Sequence, residues 1–317
     1  MGNQTAPMQF VLTGFSKDPD IQIFSFVLFL IIYLIGSLGN LLIFFIIWHV
    51  TYLQTPMYFF IKHLAFLDMC FISTIVPKLL VSSISECVTI SFGGCVIQLF
   101  IFLAMAAAES TLLAAMSYDR YVAICNPLHY IYIMKREVCI QLASTSWIIG
   151  SVYSTTHTVN TFRLNFCRSN IIDHFFCDLP PLLKIACSDI RLNQRMIFVI
   201  GAILILPFFP LTVVSYVFII RTIVRIPSAT GRRKTFSTCA SHLITVSFYL
   251  TGISVYLRPN FTSTALHQGK ISAVFYTILV PMVNPIVYSL RNKELKQAIK
   301  KIITGGKPIG KTKESCN

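Results

Sequence analysis

Asp68 and Glu109 each lie about a dozen residues into a long apolar stretch, residues 57–81 and 96–117. At the middle of a membrane an ionisable side chain is costly, so each of these acids is a candidate for function. Two carboxylates facing each other in a low-dielectric interior repel unless a cation or a proton is shared between them. One reading is therefore a sodium or proton site that biases the conformation of the chain. The other is a hydrogen-bonded polar cluster with Asn40, Ser110 and Asn284. The pair is not a hydrolytic dyad, because no nucleophile or metal constellation accompanies it. A second charged constellation is Asp119-Arg120-Tyr121, just past the third apolar stretch. There an Arg beside an Asp can form an ion pair whose opening frees the guanidinium for another partner.

The chain that must position these groups has 317 residues, 55% hydrophobic and 12% charged, with a mean hydropathy of +0.71. A soluble domain carries about 25% charged residues, so a soluble enzyme, a secreted disulfide miniprotein and a disordered chain are excluded. Uncharged stretches 21–48, 196–220, 235–257 and 271–290 each reach the roughly 20 residues that cross a hydrocarbon core. Stretches 57–81, 96–117 and 138–160 carry more polar residues, the last being rich in Ser and Thr. Seven spans over residues 21–290 result, so the expected fold is an all-α seven-transmembrane bundle. Residues 1–20 precede it and 291–317 follow. In the latter, Leu295, Ile299, Ile302 and Ile303 oppose Lys293, Lys296, Lys300 and Lys301, the pattern of a short amphipathic interfacial helix.

Orientation follows from the net charge of +14 and its distribution. Segments 49–56, 118–137, 221–234 and 291–317 hold 16 of the 26 Lys and Arg, and the opposite set holds 8. Basic residues stay in the cytoplasm, which puts the N-terminus outside and the basic tail inside. The excess reads as topology and attraction to anionic membrane lipid, with no nucleic-acid partner. Asn3-Gln4-Thr5, a glycosylation sequon, agrees with that orientation. Residues 1–20 lack the apolar core of a cleavable signal, so the first span directs insertion itself.

Of ten cysteines, Cys87, Cys95, Cys167, Cys177 and Cys187 lie in or beside outside segments, where disulfides form. Five leave one over, and four in pairs allow three connectivities. Cys167, His174, Cys177 and Cys187 have the residue types of a zinc site, but in an oxidising loop they read as disulfides. No transition metal is expected. Segment 161–195 is long for a connection, which suggests a lid over the bundle mouth. Pro207, Pro210, Pro281 and Pro285 lie within spans five and seven and permit kinks.

The motifs then resemble one family. Gly39-Asn40, Pro56-Met-Tyr-Phe-Phe60, Leu67-Asp68 and Met116-Ser-Tyr-Asp-Arg-Tyr-Val-Ala-Ile-Cys-Asn-Pro-Leu-His-Tyr130 run through the first half. Ser215-Tyr216, Lys234-Thr-Phe-Ser-Thr-Cys-Ala-Ser-His-Leu243 and Pro281-Met-Val-Asn-Pro-Ile-Val-Tyr-Ser-Leu-Arg-Asn292 complete the set. Over roughly residues 5–305 the chain resembles a tetrapod-type vertebrate odorant receptor, a class A G-protein-coupled receptor. The resemblance implies disulfides Cys95–Cys177 and Cys167–Cys187, with Cys87 free. It implies a coupling and switch set of Asp119, Arg120, Tyr121, Tyr216, Asn284, Pro285 and Tyr288. Asp68 and Glu109 would be the sodium-site acids, a structural Na+ being the sole cofactor. The implied partners are a small volatile ligand and the heterotrimeric stimulatory olfactory G protein, which raises cyclic AMP.

The family's pocket lies between the outer halves of spans three, five, six and seven. It maps onto Phe102, Met105, Ala106, Ile203, Ile253, Tyr256 and Thr277, with Tyr249 at the floor. This set carries no acid or base, which favours a neutral ligand. Lys62-His63 and Leu250 depart from the family pattern. A class A receptor for a non-volatile ligand acting outside the olfactory epithelium would share all of these motifs and differ only in ligand. A transporter would need repeats or a file of polar groups, and neither is present.

Overall fold

The computed structural model describes residues 9–13, 19–85, 88–167, 169–225, 227–232, 235–236, 270, 272–291 and 293–303. Five long helices dominate: α1 (Pro19–His49), α2 (Pro56–Ser82), α3 (Phe92–Cys125), α4 (Arg136–Phe162) and α5 (Arg191–Val224). The seventh span enters through a π-helical stretch, Phe275–Leu279, and continues as α6 (Val280–Arg291). Helix α7 (Lys293–Ile303) follows it. Most of span six lies outside the described residues.

Hydropathy marks where the chain crosses lipid, and the helices run on past that boundary. Helix α3 extends well beyond residues 96–117, so Asp119-Arg120-Tyr121 sits inside the helix, more than a turn before its end. At its start Ser91 caps α3, its hydroxyl accepting from the Gly94 amide at 3.0 Å. Helices α1, α2, α3 and α5 are long and apolar enough to cross a membrane, whereas the Ser- and Thr-rich α4 is not by composition alone. It is held by the bundle. Its Gly150 faces α3 so closely that an added Cβ would overlap the Ala104 carbonyl oxygen, and Ser154 donates to the Phe100 carbonyl.

Helix α1 lies against the seventh span. Asn40 Nδ2 donates to the carbonyls of Gly36 and Pro281 at 2.9 and 2.8 Å, and Gly39 leaves room for the Pro285 ring. On α7, Leu295 and Ala298 are buried with Ile299 packed beside them, so the predicted apolar stripe docks in its first turns onto the bundle. Tyr58 Oη donates to Glu294 at 2.9 Å and fixes that docking.

One element is absent from the all-α reading. A three-stranded sheet, ordered β2–β1–β3, covers the outer end. Strand β1 (Gln9–Leu12) pairs antiparallel with β2 (Val88–Ser91) and parallel with β3 (Ile171–Ile172). Phe10 and Leu12 of β1 are fully buried in the same apolar cluster as Ile172, Phe175, Phe176 and the short helix Leu179–Ile185. The long outer loop is therefore a packed lid, closed by Cys95–Cys177 and Cys167–Cys187, whose Cα atoms are 5.6 and 5.8 Å apart.

Candidate functional site

Three groups of side chains lie along the bundle axis. The uppermost is under the lid. Phe102 of α3 is buried and its ring meets Phe176 of the lid at 4.9 Å, Phe71 of α2 at 5.4 Å and Tyr276 of the seventh span at 6.4 Å. Met105 and Ala106, one turn further in, are half-buried against this cluster. Thr277 is fully buried within the π-helical stretch and spends its hydroxyl on the Ala273 carbonyl at 2.6 Å. π-Turns of this kind are frequent at functional sites. Ile203 does not join the group: it is 65% exposed, pointing away from the bundle. Span five is apolar on all sides, so its sequence carries no stripe that marks the inward face. Tyr249, Ile253 and Tyr256 lie outside the described residues.

Gln98 is a site residue that sequence reasoning missed. Its Nε2 donates to the Thr74 carbonyl of α2, and its Oε1 accepts from the Cys177 amide, both at 2.9 Å. A glutamine one turn after Cys95 ties the disulfide, the lid and two helices together; an amide inside a span was the available signal. Lys270, at the start of the seventh span, pairs with Asp173 of the lid at 2.6 Å. Thr13, just after β1, donates to the same carboxylate at 3.1 Å. The bond from Lys270 holds the Asp173 carboxyl below the usual carboxylate range. His174, beside it, is buried between Phe175 and Phe176; burial and then the Lys270 charge hold its pKa down to about 3. It is neutral at any physiological pH.

The middle group is the acid pair. Asp68 and Glu109 are both fully buried. Asn284 Nδ2 donates to both Asp68 oxygens at 3.2 and 3.0 Å. Glu109 accepts from no amide, hydroxyl or cationic donor among the described residues; its side-chain partner is the Asp68 carboxyl, within hydrogen-bonding reach if one of the two acids keeps its proton. The polar cluster considered from sequence forms only in part. Asn284 joins it, but Asn40 bonds backbone carbonyls and Ser110 bonds the Ala106 carbonyl instead. Two buried carboxyls within hydrogen-bonding reach of each other suit a shared proton or a small cation.

At the inner end Asp119 is buried and accepts from Arg120 Nε at 2.8 Å, with a second Arg120 nitrogen on the same oxygen. Its other oxygen accepts from Tyr130 Oη at 2.8 Å. Burial, and then the Asp119 charge, push the Tyr130 phenol up, so it stays a donor. Tyr121 stacks edge-on against Phe218 of α5 at 5.9 Å and packs on the buried cluster of Tyr216, Ile219 and Ile223. Pro285 and Tyr288 are buried in the seventh span below Asn284. Among the described residues no group of three or more His, Cys, Asp or Glu could hold a metal ion. Asn3 and Cys87 lie outside those residues.

Comparison with known proteins decides what this arrangement belongs to. The family model described as olfactory receptor matches residues 29–305. The chain belongs to the olfactory receptor family. It is 47% identical over 303 residues to olfactory receptor-like protein OLF1 of the dog, covering 95% of this chain and 97% of that one. Human olfactory receptor 5B12 is 47% identical over 316 residues, covering 99% and 98%, and mouse olfactory receptor 5G9 is 45% identical over 306, covering 96% and 97%. Squid rhodopsin shares the fold, with a TM-score of 0.67 at 18% identity over 92% of this chain and 88% of that one. This olfactory receptor family member is thus a multi-pass plasma-membrane protein of the rhodopsin-like G-protein-coupled type. It is a receptor rather than an enzyme, with an odorant and a G protein as partners.

Proposed function

We propose that this receptor binds small, mostly neutral volatile molecules beneath the lid and activates the stimulatory olfactory G protein, raising cyclic AMP. The N-terminus, with a glycan on Asn3, is outside and the basic tail is inside. The observation that carries the ligand class is the lining around Phe102: three aromatic rings from α2, the lid and the seventh span, with half-buried Met105 and Ala106 below. Apolar, aromatic surroundings with few polar anchors suit a small apolar ligand. Such a ligand shifts the equilibrium between resting and active arrangements only by its difference in affinity for the two.

Arg120 is the group freed for the G protein when its bonds to Asp119 open. Asp68 and Glu109 hold a Na+ or a shared proton in the resting arrangement, with their facing carboxyl oxygens as the ligands. A bound cation would supply charge neutralisation between the acids and nothing else.

The test is cyclic AMP in cells carrying surface-verified receptor, exposed to a panel of neutral volatiles beside an Arg120→Ala variant and an empty vector. A dose-dependent rise that disappears in the variant is expected. Silence across a broad panel with the receptor at the surface would overturn the ligand class. Raising external sodium should weaken agonist potency in the unaltered receptor and leave Glu109→Gln unchanged; equal sodium sensitivity in both would remove the cation from the scheme.

A further inference from the structure

Lys62 and His63 depart from the family pattern, and neither the ligand enclosure nor the coupling end uses them. With Phe59 and Phe66 they sit at i, i+3, i+4 and i+7 on α2 and share one face. That face is turned toward α1 and α4. The Lys62 ammonium lies 4.9 Å from the centre of the Trp48 ring on α1 and 5.6 Å from that of Phe59. His63 Nδ1 accepts from Trp147 Nε1 of α4 at 3.4 Å, which leaves Nε2 as the protonated nitrogen and a second donor. Phe66 touches Phe44 at 6.2 Å and Trp147 at 5.9 Å, closing the floor between the helices.

This floor is open to the surrounding lipid, since Trp48 is 60% exposed and Phe45 half exposed. Its inner rim is basic on balance, Lys62, Lys135 and Arg136 standing there with the acid Glu137, exposed in the same turn of α4. Arg136, exposed in the first turn of α4, stands near enough for its guanidinium to act on the Lys62 charge, and Lys135 is exposed beside it. Among the described residues none of Lys62, Lys135 and Arg136 forms an ion pair. Cations without a counter-ion at the edge of the hydrocarbon are costly, and a headgroup phosphate neutralises them.

We propose that the α1–α2–α4 face is a binding site for one anionic phospholipid. Its phosphate lies on Lys62 and Arg136, and an acyl chain lies over Trp48, Phe45 and Phe66. A zwitterionic lipid brings the same phosphate together with an ammonium that these bases repel, so the site selects net negative headgroups. The orientation proposed above puts the site in the cytoplasmic leaflet, where anionic lipid concentrates; the recognition chemistry does not depend on it.

Both tryptophans of the chain, Trp48 and Trp147, line the site, so its intrinsic tryptophan fluorescence reports contact there. Purified full-length receptor is placed in phosphatidylcholine nanodiscs containing either brominated-chain phosphatidylserine or brominated-chain phosphatidylcholine, whose bromines quench on contact. Half-maximal quenching is expected at a mole fraction about 25-fold lower for the serine lipid, since each of the two bases near the surface favours anionic lipid about fivefold. In the doubly substituted Lys62→Gln, Arg136→Gln receptor the two curves should coincide. Equal quenching by the two lipids in the unaltered receptor would overturn the proposal however the variant folds. So would a preference that survives in a variant with an unchanged melting curve. Relief of quenching by millimolar inorganic phosphate would mark a free-anion site instead and overturn the lipid assignment. The assay contains neither odorant nor G protein, so its failure leaves the proposed function standing.

Discussion

At the outer end of the bundle two disulfides, a three-stranded sheet and a buried apolar lid tie α2, α3, the long loop and the N-terminal strand together. At the inner end apolar clusters also pack the helices, but among the described residues no disulfide joins them, and the polar ties are hydrogen bonds and one ion pair: Asp119 with Arg120 and Tyr130, Tyr58 with Glu294, and Cys125 Sγ with Thr222 Oγ1 at 3.3 Å. Covalent cross-links and the sheet keep one arrangement. A few polar contacts can exchange partners at little net cost, because each is worth about 1 kcal/mol. The contrast teaches where a small ligand's limited binding energy can be converted into movement: it need only tip the end that is loosely tied.

The comparison breaks first if the disulfides are dispensable. Cys177→Ser opens a cross-link across 82 residues and should cost about 4 to 5 kcal/mol, enough to abolish surface staining. Cys187→Ser opens one across 20 residues and should cost about 3 kcal/mol. Normal surface staining and melting of both would show that the outer end is not held covalently. Next comes Asp119→Asn, which removes a charged acceptor from Arg120 and should raise basal cyclic AMP several-fold, up to about tenfold, for a contact of roughly 1.5 kcal/mol. Tyr130→Phe removes one bond and should give a smaller rise. Unchanged basal signal in both, normalised to surface receptor, would make the inner end as fixed as the outer.

Asp173→Asn tests the polar latch on the lid. The Asp173 carboxyl is depressed first by its bond from Lys270. Its contribution is therefore present above the ordinary carboxylate pKa and lost as pH falls through the lower folded value. The melting temperature should not change between pH 7 and 5, and should drop only in strongly acidic solution. The variant should lack that drop and lose at most about 1 kcal/mol, because the pair is partly solvated. A fall already at pH 6 would point to another group. The smallest effect is expected for Asp189→Asn. Arg191 holds that carboxyl down to about 2, but the pair is fully exposed. No change in melting temperature should be measurable.

The helical membrane-bundle fold was legible because lipid imposes a length and an apolarity that composition records directly, and the acids stood out against that background. Disulfide partners needed the family resemblance, since spacing leaves three connectivities open. The outer sheet was not legible: its strands are two to four residues long and pair across distances that no local pattern encodes. Ile203 was misplaced for a related reason, a helix greasy on every side having no face to read. Pro77 inside α2 and the π-turn around Thr277 likewise leave no periodic trace.

The placement of β1 also sets an order of assembly. Val11 is made before its parallel partner Ile171, which follows 160 residues later. At roughly 5–20 residues per second, the strand waits on the order of ten seconds for that partner to leave the ribosome. Strand β2 is made about halfway through that interval, but the edge of β1 that meets β3 and the face of Phe10 that meets Phe166 stay unpartnered to its end and open to wrong neighbours. A nascent receptor thus depends on whatever shields its N-terminus in the meantime, and tags or fusions added there act on the yield of correctly closed lids before any ligand is met.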